Sequence, residues 1–179
     1  MTDAFAADAI VRFVLPDDAT YPDLAALFFG HYFDVRIEGG EVFVHGDADG
    51  VSLWNPPGGN RHGAAFVGEH WRSKVVPSLP ANELARHEAF TEVLDAMTPR
   101  EDHWYLGLLG TAPANQRTGV ATALLTPMLA RADQERTPVF LETGMPRNVA
   151  FYERFGFGVV AEEVVPAGPR VWGMVRPPA

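Results

Sequence analysis

The chain has 179 residues, 47% of them hydrophobic, which suits one domain with a core of ordinary size. The absence of cysteine excludes disulfides, thiolate metal sites and a cysteine acyl-enzyme. A net charge of −9 with scattered basic residues argues against a nucleic-acid footprint and modestly favours a cationic small substrate. The opening "MTDAFAADAIVRFVLPDD" has no basic region before its short apolar stretch, and no run reaches the roughly 18 apolar residues of a membrane span. The expected protein is cytoplasmic, with neither nucleic acid nor membrane as a partner.

In chain order, a helical beginning leads into "TYPDLAALFFGHYFDVRI", where Leu24, Leu27, Phe28 and Tyr32 fall at helical intervals. "EVFVHGDADGVSLW" alternates and breaks at Asp49-Gly50, which predicts a hairpin turning there. "NPPGGN" reads as an exposed loop, and Arg61 to Met97 returns to helical spacing, with Asn82 as a helix cap and Pro99 as the stop. "HWYLGLLGT" is a nearly continuous apolar run, consistent with a strand covered on both faces. After it come a turn, an apolar helix to about Arg131, the strand "PVFLET", the short helix "RNVAFYERF", and strands around "FGVVAEE" and "RVWGMVR". Pro127 falls inside the apolar helix, forfeits the bond to the carbonyl of Ala123 and predicts a bend. No repeat, low-complexity tract or linker divides the chain, so the alternation predicts an α/β or α+β domain around a central sheet, spanning 1–179.

The turn into the apolar helix, "APANQRTGVATALL" (112–125), carries the first chemistry. A strand that turns into a helix presents unpaired N–H groups and a positive dipole end at the strand's carboxyl edge. Small residues at Gly119 and Ala121 let a phosphate approach the amides of Arg117, Thr118, Gly119, Val120, Ala121 and Thr122, with the Arg117 side chain adding charge. The pattern is neither a Walker loop nor G-x-G-x-x-G, and a plain tight turn is the competing reading.

Q-x-x-G-x-A at Gln116 to Ala121, followed by "FLETGMPRNVAFYERFGF", resembles the GNAT superfamily of acetyl-CoA-dependent N-acetyltransferases. The last 75 or so residues, including the tail "VPAGPRVWGM", resemble its puromycin N-acetyltransferase branch more narrowly. Before residue 100 the resemblance is weaker, resting on "GEVFVHGDADGVSLWNPPG". It implies a mixed, mostly antiparallel sheet flanked by helices, with acceptor recognition in 1–100 and acetyl-CoA binding in 101–179. The family's opening strand is missing from the visible pattern, so the next strand is expected at a sheet edge, a surface for homodimerisation.

The resemblance assigns the proton donor of the reaction to Tyr152, in "NVAFYERFGF"; the competing reading packs it as a core aromatic beside Phe151 and Phe155. Asn148 lies one helical turn before it and either orders it near the cosubstrate or caps the helix. Backbone groups of Leu109, Gly110 and Thr111, in the strand that the resemblance pairs with the pantetheine arm, would hold the cosubstrate and the oxyanion. Gly110 fits a bulge there or simply allows close packing. Glu142 is the candidate base, with Glu69 and His103 as lesser ones. Trp54 and Trp71 are candidates for lining the acceptor pocket. The histidines at 31, 45, 62, 70 and 87 form no ligand pair at metal-binding spacing, so no metal is expected. The expected activity is direct acetyl transfer from acetyl-CoA to a primary amine of a small molecule, with a non-catalytic acyl-CoA sensor or interaction module as the alternative.

Overall fold

Residues 1–179 are described by a computed structural model. After a 3₁₀ turn at Thr2–Phe5, the helices are α1 (Ala9–Val14), α2 (Tyr21–Gly39), α3 (Gly63–Lys74), α4 (Ala81–Met97), α5 (Val120–Glu135) and α6 (Pro146–Glu153). The strands are β1 (Glu41–His45), β2 (Gly50–Asn55), β3 (Trp104–Thr111), β4 (Val139–Thr143), β5 (Gly158–Val164) and β6 (Arg170–Arg176). They form one sheet in the order β1-β2-β3-β4-β6-β5, antiparallel throughout except between β3 and β4. This is the mixed, mostly antiparallel α/β architecture expected, with β1 at an edge and no strand ahead of it.

Three local expectations are corrected. The hairpin turns at Gly46–Asp49, where Gly46 and Ala48 are left-handed, and Gly50 already belongs to β2 opposite His45. Gly50 is small for another reason: a Cβ there would collide with Val120, on the helix lying across it. The cap of α4 is Pro80, in extended conformation (φ −60°, ψ 153°), with its carbonyl accepting from Leu84; Asn82 sits inside the helix. The bulge in β3 is at Gly107, because Leu53 pairs with Leu108 and Trp54 with Leu106, whereas Gly110 is in regular register with Val51.

Two packing groups flank the sheet. Leu125, Met128, Leu129 and Ala132 of α5 bury against Trp54, Trp104, Leu106, Val139, Leu141 and Met174. The apolar faces of α1 and α2 bury Val11, Val14, Phe28 and Phe29 with Val75 and Leu79. β3 is therefore not covered evenly. Trp104 and Leu106 are buried, while Tyr105 and Gly107, on the other side of the pleat, are only partly covered because they border a cavity. α5 runs four residues past Arg131 to Glu135, and Pro127 lies on its exposed side, where water can reach the carbonyl of Ala123 that loses its bond.

The pairing that positions the site is the shortest one. β3 and β4 run parallel and share only the partners Trp104–Val139 and Tyr105–Phe140. From there the strands diverge, and the side of β3 that faces β4 has no ladder partner as far as Thr111.

Candidate active site

The divergence opens a groove of about 670 Å³ between β3, the start of α5 and α6. Leu109, Gly110 and Thr111 form one wall, Gln116, Arg117, Gly119, Val120, Ala121 and Thr122 the end, and Asn148 and Tyr152 the opposite wall. Of the residues expected to hold a cosubstrate, only Thr118 does not line it; its hydroxyl donates to the carbonyl of Asn115 at 2.7 Å and braces the loop instead.

The chain conformation explains the loop's capacity. Arg117 and Gly119 are left-handed, at φ 64° and 98°, the kind of conformation in which successive amides form an anion-binding concavity rather than a ladder. The backbone amides from Arg117 to Thr122 have no partner, and no side chain caps α5. No heavy atom lies within 4 Å of the point where a Cβ on Gly119 would project, so the loop is an open cradle. Arg147 and Arg154 join Arg117 on the rim, a positive cluster in a chain of net charge −9. These features fit a pyrophosphate group, which wants several N–H donors and nearby cations.

At its inner end the groove meets a second cavity of about 480 Å³, and Phe5, Asp8, Leu109, Asn148 and Tyr152 border both. Tyr152 belongs to the core through its ring, 5.7 Å from that of Phe157, yet its hydroxyl has no protein partner, so the two sequence readings of this residue coexist. Burial pushes its phenol well above the ordinary range, which keeps it protonated. Asn148 is not the cap of α6; its amide donates to Thr143 Oγ1 at 3.1 Å and ties the helix to the end of β4.

Glu142 projects from β4 into the second cavity. Its Oε1 accepts from the Tyr105 hydroxyl at 2.9 Å and its Oε2 is buried without a partner. Burial raises its pKa to about 7, against the opposing pull of the Tyr105 hydrogen bond. A carboxylate poised there can take a proton near neutral pH. The other base candidates lie elsewhere: Glu69 pairs with Arg72 on the surface, and His103 makes its contact with the carbonyl of Glu101. Trp71 lines the cavity, whereas Trp54 is fully buried under α5 and donates to Ser52.

Around Trp71, the amino-terminal helices supply residues to which the sequence gave no place in the site. Phe28, Tyr32, Trp71, Phe90 and His87 make an aromatic wall, with Trp71 stacked on His87 at 4.2 Å. His31 lies 2.8 Å from His70, and burial lowers the pKa of both His31 and His87 to about 4, leaving them neutral. Asp8, raised by burial, caps α1 at the junction of the two cavities.

Residues 81–176, more than half of the chain, match the acetyltransferase (GNAT) domain family. The chain belongs to that family. This GNAT acetyltransferase is 29% identical over 170 residues to an uncharacterized N-acetyltransferase of Schizosaccharomyces pombe, covering 88% of this chain and 67% of the relative. Its fold matches a crystal structure described as histone acetyltransferase HPA2 and related acetyltransferase from Corynebacterium glutamicum, with a TM-score of 0.66 and 23% identity over 99% of this chain and 87% of that one. It also matches the NatB acetyltransferase complex bound to CoA and MES, with a TM-score of 0.50 and 13% identity over 84% and 82% of the two chains. At these identities the structures speak to the fold. No helix of the acetyltransferase is long and apolar enough to cross a membrane.

Proposed function

We propose that this acetyltransferase works in the cytoplasm, moving the acetyl group of acetyl-CoA to a primary amine of a small molecule by direct attack, with both substrates bound at once. The observation that carries the reading is the meeting of the two cavities: an anion cradle on one side, a buried carboxylate and aromatic wall on the other, and Tyr152 between them. Acetyl-CoA supplies the activated acyl group. The loop from Gln116 to Thr122 would hold its pyrophosphate, and the unpaired flank of β3 at Leu109, Gly110 and Thr111 would pair with its arm and offer an N–H to the oxyanion.

In this scheme Glu142 takes the proton that the amine must lose. The amine nitrogen bonds to the acyl carbon, the carbon–sulfur bond breaks, and Tyr152 hydrogen-bonds the leaving sulfur. A phenol is a weaker acid than a thiol, so Tyr152 acts first as a hydrogen-bond donor to developing charge, with full transfer following as solvent re-protonates it. A small acceptor suits a cavity walled by α2, α3 and α4 with its charged groups inside.

Calorimetric titration with acetyl-CoA, followed by a thiol-reagent assay of released CoA, tests the reading; the chain lacks cysteine and gives no background. Saturable binding with CoA release only in the presence of an amine is expected. Binding with no release in any amine screen would mark a sensor, and no binding would remove the cosubstrate assignment.

A further inference from the structure

Arg36 is the least explained charge in the molecule. It extends from α2 into the acceptor cavity and is 4% exposed. Its hydrogen bond runs from Nη1 to the carbonyl of Tyr32 at 3.3 Å; Nε is buried with no partner, and no carboxylate pairs with the guanidinium. The side chain is held in place all the same. The rings of Tyr32 and Tyr105 lie 5.4 and 6.0 Å from its Cζ, and Gly107 leaves the space that Nη2 occupies, where any Cβ would collide with it. The β3 bulge thus falls where Arg36 presses on the strand.

A buried, unpaired guanidinium costs several kcal/mol, and hydrophobic residues would fill the space more cheaply. The same cavity holds the reverse deficit, the unpartnered Oε2 of Glu142. One tyrosine separates them: Tyr105 donates to Glu142 and stands beside Arg36. An occupant that satisfies both ends carries an anionic oxygen for Arg36 and an amine for Glu142, on either side of Tyr105. The remaining wall, Phe28, Trp71, His87 and Phe90, suits a bulky apolar or aromatic side chain. Building on the acetyltransferase reading above, we infer that the acceptor is an amino-carboxylate, an α-amino acid with an aromatic or large apolar side chain, whose carboxylate Arg36 binds. A peptide amino terminus and an aminonucleoside both lack that carboxylate and would leave Arg36 unpaired.

The test compares L-phenylalanine with 2-phenylethylamine, which differs by the carboxylate alone. Expected is a kcat/KM about a hundredfold higher for L-phenylalanine, the scale of breaking one buried charge pair. In Arg36→Met both probes should react at a similar low rate while acetyl-CoA binding stays unchanged, and Arg36→Lys should retain part of the preference. Equal or faster reaction of 2-phenylethylamine, a preference that survives in Arg36→Met, or no reaction of either probe in protein that binds acetyl-CoA would overturn the inference. Calorimetry of L-phenylalanine without cosubstrate separates it from the wider reading. Heat of binding in wild type and none in Arg36→Met supports the carboxylate site even if acetyl-CoA fails to bind; no heat in wild type sinks it.

Discussion

The groove and the acceptor cavity share a border at Tyr152 but are built from different materials. The groove is mostly backbone: unpaired amides, a left-handed glycine, and a strand flank without a partner. The cavity is side chains brought together from α1, α2, α3, α4, β3 and β4. A backbone site needs few particular residues and tolerates variation around them, whereas a side-chain site changes its ligand with each substitution. In the proposed scheme the groove keeps one cosubstrate while the cavity is free to change acceptors.

The widest separation between the halves should come from Glu142→Gln. We expect kcat/KM to fall by about 10² to 10⁴-fold, the usual worth of a general base, with acetyl-CoA affinity unchanged by calorimetry. The wild-type rate should rise with pH through about 7 as Glu142 ionises, and the variant should lose that limb. Folded Glu142 holds its proton to about 7 against 4.5 ordinarily, so the fold is penalised for ionising it above pH 7, and that penalty fades as pH falls towards 4.5. Glutamine should thus raise stability at pH 8 by about 2–3 kcal/mol in urea unfolding, making the inactive variant the sturdier one. An active Glu142→Gln would move the base elsewhere, with Asp8 next in line.

Tyr152→Phe removes one hydroxyl at the border and should lower kcat about a hundredfold without altering acetyl-CoA binding; intact turnover would leave Tyr152 with its packing role alone. Gly119→Glu should weaken acetyl-CoA binding by about ten- to hundredfold, one to two steps of 1.4 kcal/mol, and leave acceptor binding alone. Gly119→Ala, which adds left-handed strain of about 1–2 kcal/mol but no charge, should fall between; equal losses in the two would assign the effect to strain rather than repulsion. The smallest effect belongs to the cavity wall. His87 is buried neutral, with a folded pKa of about 4 against 6.5, so its stability contribution is complete above pH 6.5 and fades as pH falls towards 4. Thermal unfolding between pH 8 and 5 should show a shallower loss in His87→Phe than in wild type, about 2 kcal/mol at the acid end.

How much was readable follows the same division. The phosphate loop was legible because its requirement is local: Gln116 to Ala121 is one uninterrupted stretch, and Gly119 carries its conformational meaning wherever it sits. Tyr152 and Glu142 stood out as candidates through the stretch around them, and both line the cavities. Arg36, Asp8, Tyr105 and His87 were not, because each acquires a role only when α1, α2 and α4 fold over β3, and an isolated arginine on a helix looks like a solvated one. The glycines show the limit most directly. Gly50 invites a turn and Gly110 a bulge from their neighbours in sequence, yet what crowds each position lies far along the chain, Val120 against the one and, less tightly, Phe5 against the other.

The short contact between β3 and β4 has a mechanical meaning. Two half-sheets, β1-β2-β3 and β4-β6-β5, are riveted at Trp104–Val139 and Tyr105–Phe140 and gape beyond. The rivet is reinforced from outside, where the Trp104 indole donates to Glu135 at 2.7 Å and Arg131 covers its ring at 4.6 Å. The fold thus resembles a clothes-peg, with its spring at Trp104 and its jaws at Thr111 and Thr143. An extended segment that paired with the free flank of β3 inside the jaws would add a seventh strand and tie the two half-sheets together beyond their rivet.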